Sequence, residues 1–113
     1  METKDLILRN WQDSDAKALY EMCLDETLRK SGIDFYNSIT DSRNTIQCWK
    51  NDKGFKVIAD KRNDNFIGFI SLGGMNRYNG YMEIEYAVDA RYRNNGYAMQ
   101  AVQRMLDYGF IFK

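Results

Sequence analysis

Histidine and proline are both missing from this 113-residue chain, cysteine occurs only twice, and neither sign of charge is in excess. Without histidine there is no Ser-His-Asp or Cys-His nucleophile arrangement, no histidine-ligated zinc and no imidazole base. Any acid–base step then falls to carboxylates, tyrosine, lysine, cysteine or water, and no metal site is expected. Without proline, no turn relies on the pyrrolidine ring to set φ. Cys23 and Cys48 form no C-x-x-C pair, and the opening Met1-Glu2-Thr3-Lys4-Asp5 lacks the basic and apolar regions of a secretory signal. Both features fit a reduced, cytoplasmic setting. No stretch approaches the ~20 apolar residues of a membrane span, so a membrane is not an expected partner. The 16 Lys and Arg residues are balanced by 16 Asp and Glu. With no basic cluster either, the chain has no global field for DNA or RNA, and nucleic acid is not the expected ligand.

What is present is an ordinary globular composition, 44% apolar and 14% aromatic, of a length that makes one domain with one core over residues 1–113. Leu6-Ile7-Leu8-Arg9 reads as a short strand. Asp13 or Ser14 is placed to cap a helix whose Ala16, Leu19, Tyr20, Cys23 and Leu24 follow the i, i+3, i+4, i+7, i+8 pattern of a buried stripe. Cys23 is therefore expected to be a buried thiol. Residues 27–38 show no period, and residues 40–51 predict a weaker helix with Ile46 and Trp49 on one side. Two strand-like runs, residues 55–60 and 66–72, flank the turn-forming residues 61–65 and predict a hairpin. Gly73-Gly74 and Asn79-Gly80 punctuate the next connection, and residues 81–88 alternate with period two as a further strand. Ala98, Ala101, Val102, Met105, Gly109 and Phe110 then recur at helical spacing, a face rich in small residues that suits packing on a sheet. The expected order is strand, helices, three strands, helix.

Arg93-Asn94-Asn95-Gly96-Tyr97-Ala98 joins the last alternating strand to the last helix. The first N–H groups of a helix have no intrahelical acceptor and carry the positive end of its dipole, so this junction is suited to holding a pyrophosphate. The pattern R-x-x-G-x-A alone arises by chance in such a chain on the order of one time in ten. The strand before it and the helix after it carry the argument. An ordinary strand-to-helix turn, with Gly96 relieving backbone strain, is the competing reading.

With these flanks the chain resembles the GNAT superfamily of acetyl-coenzyme A-dependent N-acetyltransferases. Leu8-Arg9-Asn10-Trp11 with Ser14-Asp15-Ala16 is similar to the family's opening strand and first helix, above all in the branch that acetylates ribosomal-protein N-termini. Phe66-Ile67-Gly68-Phe69-Ile70 is similar to its third strand, and residues 86–98 to its coenzyme A motif. The resemblance implies an α+β, three-layer fold with a mixed, mostly antiparallel sheet flanked by helices. It implies acetyl-coenzyme A as donor and a primary amine of a small molecule or peptide as acceptor, attacked directly without a covalent enzyme intermediate. The motif, opened by Arg93, would hold the pyrophosphate through the backbone of Asn94, Gly96, Tyr97 and Ala98, and Ala87 and Val88 would pair with the pantetheine arm. Glu83 would be the base, with Glu85 as alternate. Period two puts them on one face, where repulsion and partial burial would tune one of them. Two solvated carboxylates on an open face is the other reading. Tyr86 and Tyr97 flank the expected site.

The family continues past the motif helix with a fifth strand, a further helix and two more strands, whereas this sequence closes with Phe110-Ile111-Phe112-Lys113. The C-terminal part of the fold, including the strand that splays from the fourth to admit pantetheine, is expected to be missing. The fourth strand would then be a sheet edge, covered either by a homodimer partner or by further chain. Two classes of function follow: an N-acetyltransferase, or a non-catalytic module for coenzyme A binding or protein association.

Overall fold

Short apolar-rich runs form four strands in the computed structural model, which describes residues 1–30, 36–75 and 82–111, with the side chains of 73–75, 82–83 and 108–111 excepted. The strands are β1 (Leu6–Arg9), β2 (Phe55–Asp60), β3 (Phe66–Met75) and β4 (Met82–Val88). They form one sheet in the order β1-β2-β3-β4, and every pairing among the described residues is antiparallel. Helices α1 (Ala16–Met22), α2 (Glu26–Lys30) and α3 (Ile39–Trp49) precede β2, and α4 (Tyr97–Ile111) follows β4.

The sheet separates two cores, giving three layers. On one face Val57, Ala59, Phe66, Phe69 and Ala87 pack with Trp11 and with Leu19, Met22, Cys23, Leu28 and Ile46 from α1, α2 and α3 and their connections. On the other, Leu6, Leu8, Ile58, Ile67, Ile70 and Val88 pack against Ala101 and Met105 of α4. Small residues on α4 let its backbone lie close to the sheet, as the spacing predicts. Trp11 sits in an aromatic cluster with ring centroids 5.0 Å from Trp49 and 5.3 Å from Phe55, separations at which edge and offset contacts are favourable. Arg9 fixes the end of β1 to the start of α1 through two hydrogen bonds to Asp15, 2.8 and 2.9 Å, and to the β2–β3 turn through Asp64 at 2.9 Å. These bonds raise the pKa of the guanidinium, led by the one to Asp15.

Four expectations need correction. The first helix is not capped by Asp13 or Ser14. It is entered through a 3-10 turn, Asp13–Asp15, in which the Asp15 carboxylate accepts from the Gln12 N–H at 2.8 Å. Leu24 is not on the buried stripe. α1 stops at Met22 and closes with i→i+3 bonds, Leu24 N–H to Glu21 and Asp25 N–H to Met22, which tighten the turn, and Leu24 is left 48% exposed while Met22 is buried. α2 was not foreseen, since five residues are too few to show a period. Gly73-Gly74 lies inside β3 rather than in the connection, at a register shift between Leu72 and Met75, where glycine commonly marks a bulge. The expected Asn79-Gly80 turn lies outside the described residues. The residues expected to form the hairpin turn do so, with Asp64 at φ 61°, a left-handed conformation that aspartate tolerates better than most residues.

Candidate coenzyme-binding cleft

β4 is the last strand in the sheet, and its C-terminal end becomes the floor of a cleft of about 750 Å³. Thr27 and Leu28 of α2 form one wall. Residues 92–94 and 96–99, at the junction into α4, form the other. Gly68 sets how closely the floor approaches β3. A Cβ at that position would stand 2.0 Å from the Ala87 carbonyl oxygen and 3.0 Å from the Val88 Cα, so only glycine lets the two strands meet there. Ala87 then packs toward α1–α3 and Val88 toward α4.

Past Val88 the Asp89 N–H continues the ladder to the Ile67 carbonyl at 2.8 Å. The Asp89 carboxylate caps a 3-10 turn, Ala90–Tyr92, by accepting from the Arg91 N–H at 3.0 Å, and takes two further bonds from the Arg91 guanidinium at 3.1 Å. Burial, which alone would raise the Asp89 carboxyl, is outweighed by these side-chain and backbone bonds, so its pKa lies below the usual carboxylate value. The chain then turns through two left-handed residues, Asn94 (φ 68°) and Gly96 (φ 75°). The Asn95 amide nitrogen braces the turn by donating to the carbonyls of Tyr92, 2.9 Å, and Arg93, 3.3 Å.

α4 starts directly after this turn. Its first bond runs from the Gln100 N–H to the Gly96 carbonyl at 3.2 Å, so the N–H groups of Tyr97, Ala98 and Met99 come ahead of any intrahelical acceptor. The first turn of this 15-residue helix has no acidic residue, which leaves the positive end of its dipole uncompensated by side chains. A Cβ on Gly96 would meet no protein atom within 4 Å. Glycine is favoured there by φ, and the space beside it is open to a ligand. Unpaired amides, a dipole end and an open approach together suit an anionic group such as a pyrophosphate.

A family profile described as the acetyltransferase (GNAT) domain matches residues 5–112. This chain belongs to the GNAT family. Among relatives of the GNAT domain, the uncharacterized protein YkkB of Bacillus subtilis (strain 168) is 31% identical over 117 residues, covering 96% of this chain and 66% of that protein. The uncharacterized N-acetyltransferase p20 of Bacillus licheniformis is 30% identical, covering 96% of this chain and 64% of its own length. The chain thus spans just under two-thirds of these relatives. The GNAT-family acetyltransferase of Bacillus anthracis has the same fold at TM-score 0.77 and 24% identity, over 97% of this chain and 65% of that one. Spermidine N-acetyltransferase of Vibrio cholerae, solved in complex with CoA and spermine, gives TM-score 0.74 and 20% identity over 96% and 66%.

Of the residues picked out by the GNAT resemblance, Ala87, Val88, Arg93, Asn94, Gly96, Tyr97, Ala98 and Glu85 all line this one cleft. The backbone of Glu83 is in β4, but its side chain lies outside what is described. Glu85 stands exposed on the cleft floor beside Tyr86, which is 51% exposed. The partial burial expected of the glutamate pair is therefore not found at Glu85. Tyr97 is half-buried against the α4-side core. Arg93 makes side-chain contacts that the motif did not announce. Its guanidinium is engaged by the protein itself, with Nε donating to the Val88 carbonyl at 3.1 Å and Nη2 to Asp25 at 3.0 Å. Sequence reasoning missed Asp25, Thr27, Leu28, Asp89 and the bracing Asn95. Asp89 and Asp25, each an Asx-type cap accepting from the N–H two residues on, carried a local signal. No cluster of metal-ligating residues occurs among the described residues, and no helix of theirs is long and apolar enough to cross a membrane.

Proposed function

We propose that this GNAT domain binds acetyl-coenzyme A in the β4–α4 cleft and serves an N-acetyltransferase that moves the acetyl group directly to a primary amine of a small molecule or a peptide N-terminus. The observation that carries this is the cradle at residues 94–99, with its two left-handed residues, its amides ahead of the first helical bond and the open space beside Gly96. The pyrophosphate would lie on the amides of the Asn94, Gly96, Tyr97 and Ala98 stretch, and the pantetheine arm would run along the main chain of Ala87 and Val88.

In the reaction the acceptor nitrogen loses a proton, its lone pair forms the C–N bond, the C–S bond breaks, and the departing thiolate takes up a proton. The β4 carboxylates are assigned the first proton on the GNAT resemblance: Glu83 is the proposed base and Glu85, which lines the cleft, its alternate. Spermidine is the acceptor in the name of one structural neighbour, and a primary amine is the chemistry a carboxylate base serves. The outer edge of β4 has no neighbour among the described strands. Either further chain or a second copy of this chain would cover that edge; if the 113 residues fold alone, the reading includes self-association, which a strictly monomeric sedimentation profile would contradict.

Calorimetric titration with acetyl-coenzyme A and coenzyme A, followed by thiol release across a panel of amines, tests the proposal. Binding with turnover supports it, and binding without turnover on any amine identifies a non-catalytic coenzyme A module. Absence of binding removes the reading of the cleft.

A further inference from the structure

Arg93 opens the coenzyme motif, yet its guanidinium bonds to Val88 and Asp25 lead away from phosphate chemistry. Nε holds the carbonyl of Val88, the last residue of β4, and Nη2 holds Asp25 Oδ2, 68 residues away in sequence. The other oxygen of the same carboxylate, Asp25 Oδ1, accepts from the Thr27 N–H at 2.9 Å, the bond that starts α2. Thr27 and Leu28 are the wall of the cleft that faces α4. One guanidinium and one carboxylate therefore join the floor, the motif turn and the opposite wall.

We propose that Arg93 is a positioning residue rather than a phosphate ligand: with Asp25 it forms a clamp that holds α2 against the end of β4 and the motif turn, and so sets the width of the cleft. The elements it joins are the ones least able to hold themselves. α2 has five residues, well short of the length at which a helix is stable by itself, and the motif turn contains a non-glycine residue in the left-handed region. A planar guanidinium can satisfy two acceptors lying in different directions, which an ammonium on a flexible stem does less well. The Asp25 carboxyl is held below its usual range first by the Thr27 N–H and then, against desolvation that would raise it, by the charge and hydrogen bond of Arg93, as a carboxylate with two fixed donors should be.

The inference rests on the cleft being the coenzyme A site, and its test separates the two. In Asp25→Asn the side-chain oxygen still accepts from Thr27 while the charge facing Arg93 is lost. Calorimetry on the 113-residue chain should show coenzyme A binding about three- to tenfold weaker, the range a partly exposed charge-assisted bond transmits, although no ligand of the coenzyme has been removed. Arg93→Gln should do the same, Arg93→Lys should fall between, and Asp25→Asn combined with Arg93→Gln should be no weaker than the worse single variant, because both remove one interaction. Amide exchange at Thr27 and Leu28 should accelerate together with exchange at residues 94–96 in each variant. An Asp25→Asn chain that binds coenzyme A as well as or better than wild type, or losses that add, would overturn the clamp and return Arg93 to the phosphate. If the wild-type chain binds no coenzyme A, the reading of the cleft falls, and exchange still decides the clamp: acceleration confined to the segment carrying the substitution overturns it.

Discussion

Replacing Gly96 with alanine separates the folding requirement at this position from the binding requirement. Gly96 has φ 75°, and an L-residue forced into that region costs about 1–2 kcal/mol. No steric cost adds to this in the free protein, since the new Cβ meets no atom within 4 Å. For a domain of this size the melting temperature should fall by about 4–8 °C. Binding should suffer more. A phosphate oxygen on the α4 amides sits about 2.9 Å from nitrogen, and a methyl group beside it keeps the phosphate from that distance. Losing one charge-assisted hydrogen bond of about 1.5–3 kcal/mol weakens coenzyme A binding roughly ten- to a hundredfold. Paired thermal melts and calorimetric titrations at a temperature where both proteins are folded measure the two effects independently. A variant that loses the stability but keeps wild-type affinity would show that the phosphates lie elsewhere, and one that loses neither would show that the backbone is not left-handed at this position.

Gly68→Ala would drive a Cβ to 2.0 Å from the Ala87 carbonyl oxygen, and since that atom is backbone, β4 must move; an overpacking loss of about 1–3 kcal/mol is expected in denaturant titration, and an unchanged midpoint would contradict the close approach. Asp89 has a folded pKa below the ordinary 3.8, so its contribution to stability is fully present above that value and is lost as pH falls through the lower folded pKa. Asp89→Asn should therefore flatten the acid limb of the stability profile, and a limb of wild-type steepness would exclude Asp89 as its source. Glu83→Gln should leave coenzyme A affinity intact and lower turnover on the best amine about 10²-fold or more. Unchanged thiol release would eliminate Glu83 and move the role to Glu85.

The strands, the α4 packing face and the hairpin turn were legible because each is written in neighbouring residues: a strand-like apolar run in β2, alternation in β4, turn-forming residues at 61–65, small residues at Ala98 and Ala101. The R-x-x-G-x-A pattern was legible for the same reason, as a left-handed glycine followed by a helix start is a local arrangement. Local reading failed where a distant partner or a change of phase decided the outcome. Leu24 keeps the helical spacing, but the helix ends in an i→i+3 turn before reaching it. Gly73-Gly74 has turn composition, and β3 absorbs it at a register shift.

At the cleft the division is the same. Sequence alone determined that a glycine turn opening a helix follows an alternating strand, because φ preferences and the amides of a first helical turn depend on residues within one turn of each other. The tertiary structure decided which side chains the cleft can use. It brought Asp25 to Arg93 across 68 residues, placed Thr27 and Leu28 opposite α4, and made Gly68 the one residue that fits beneath Ala87. Those outcomes depend on how the sheet and helices pack, and contacts between residues far apart in sequence exist only once the fold has closed.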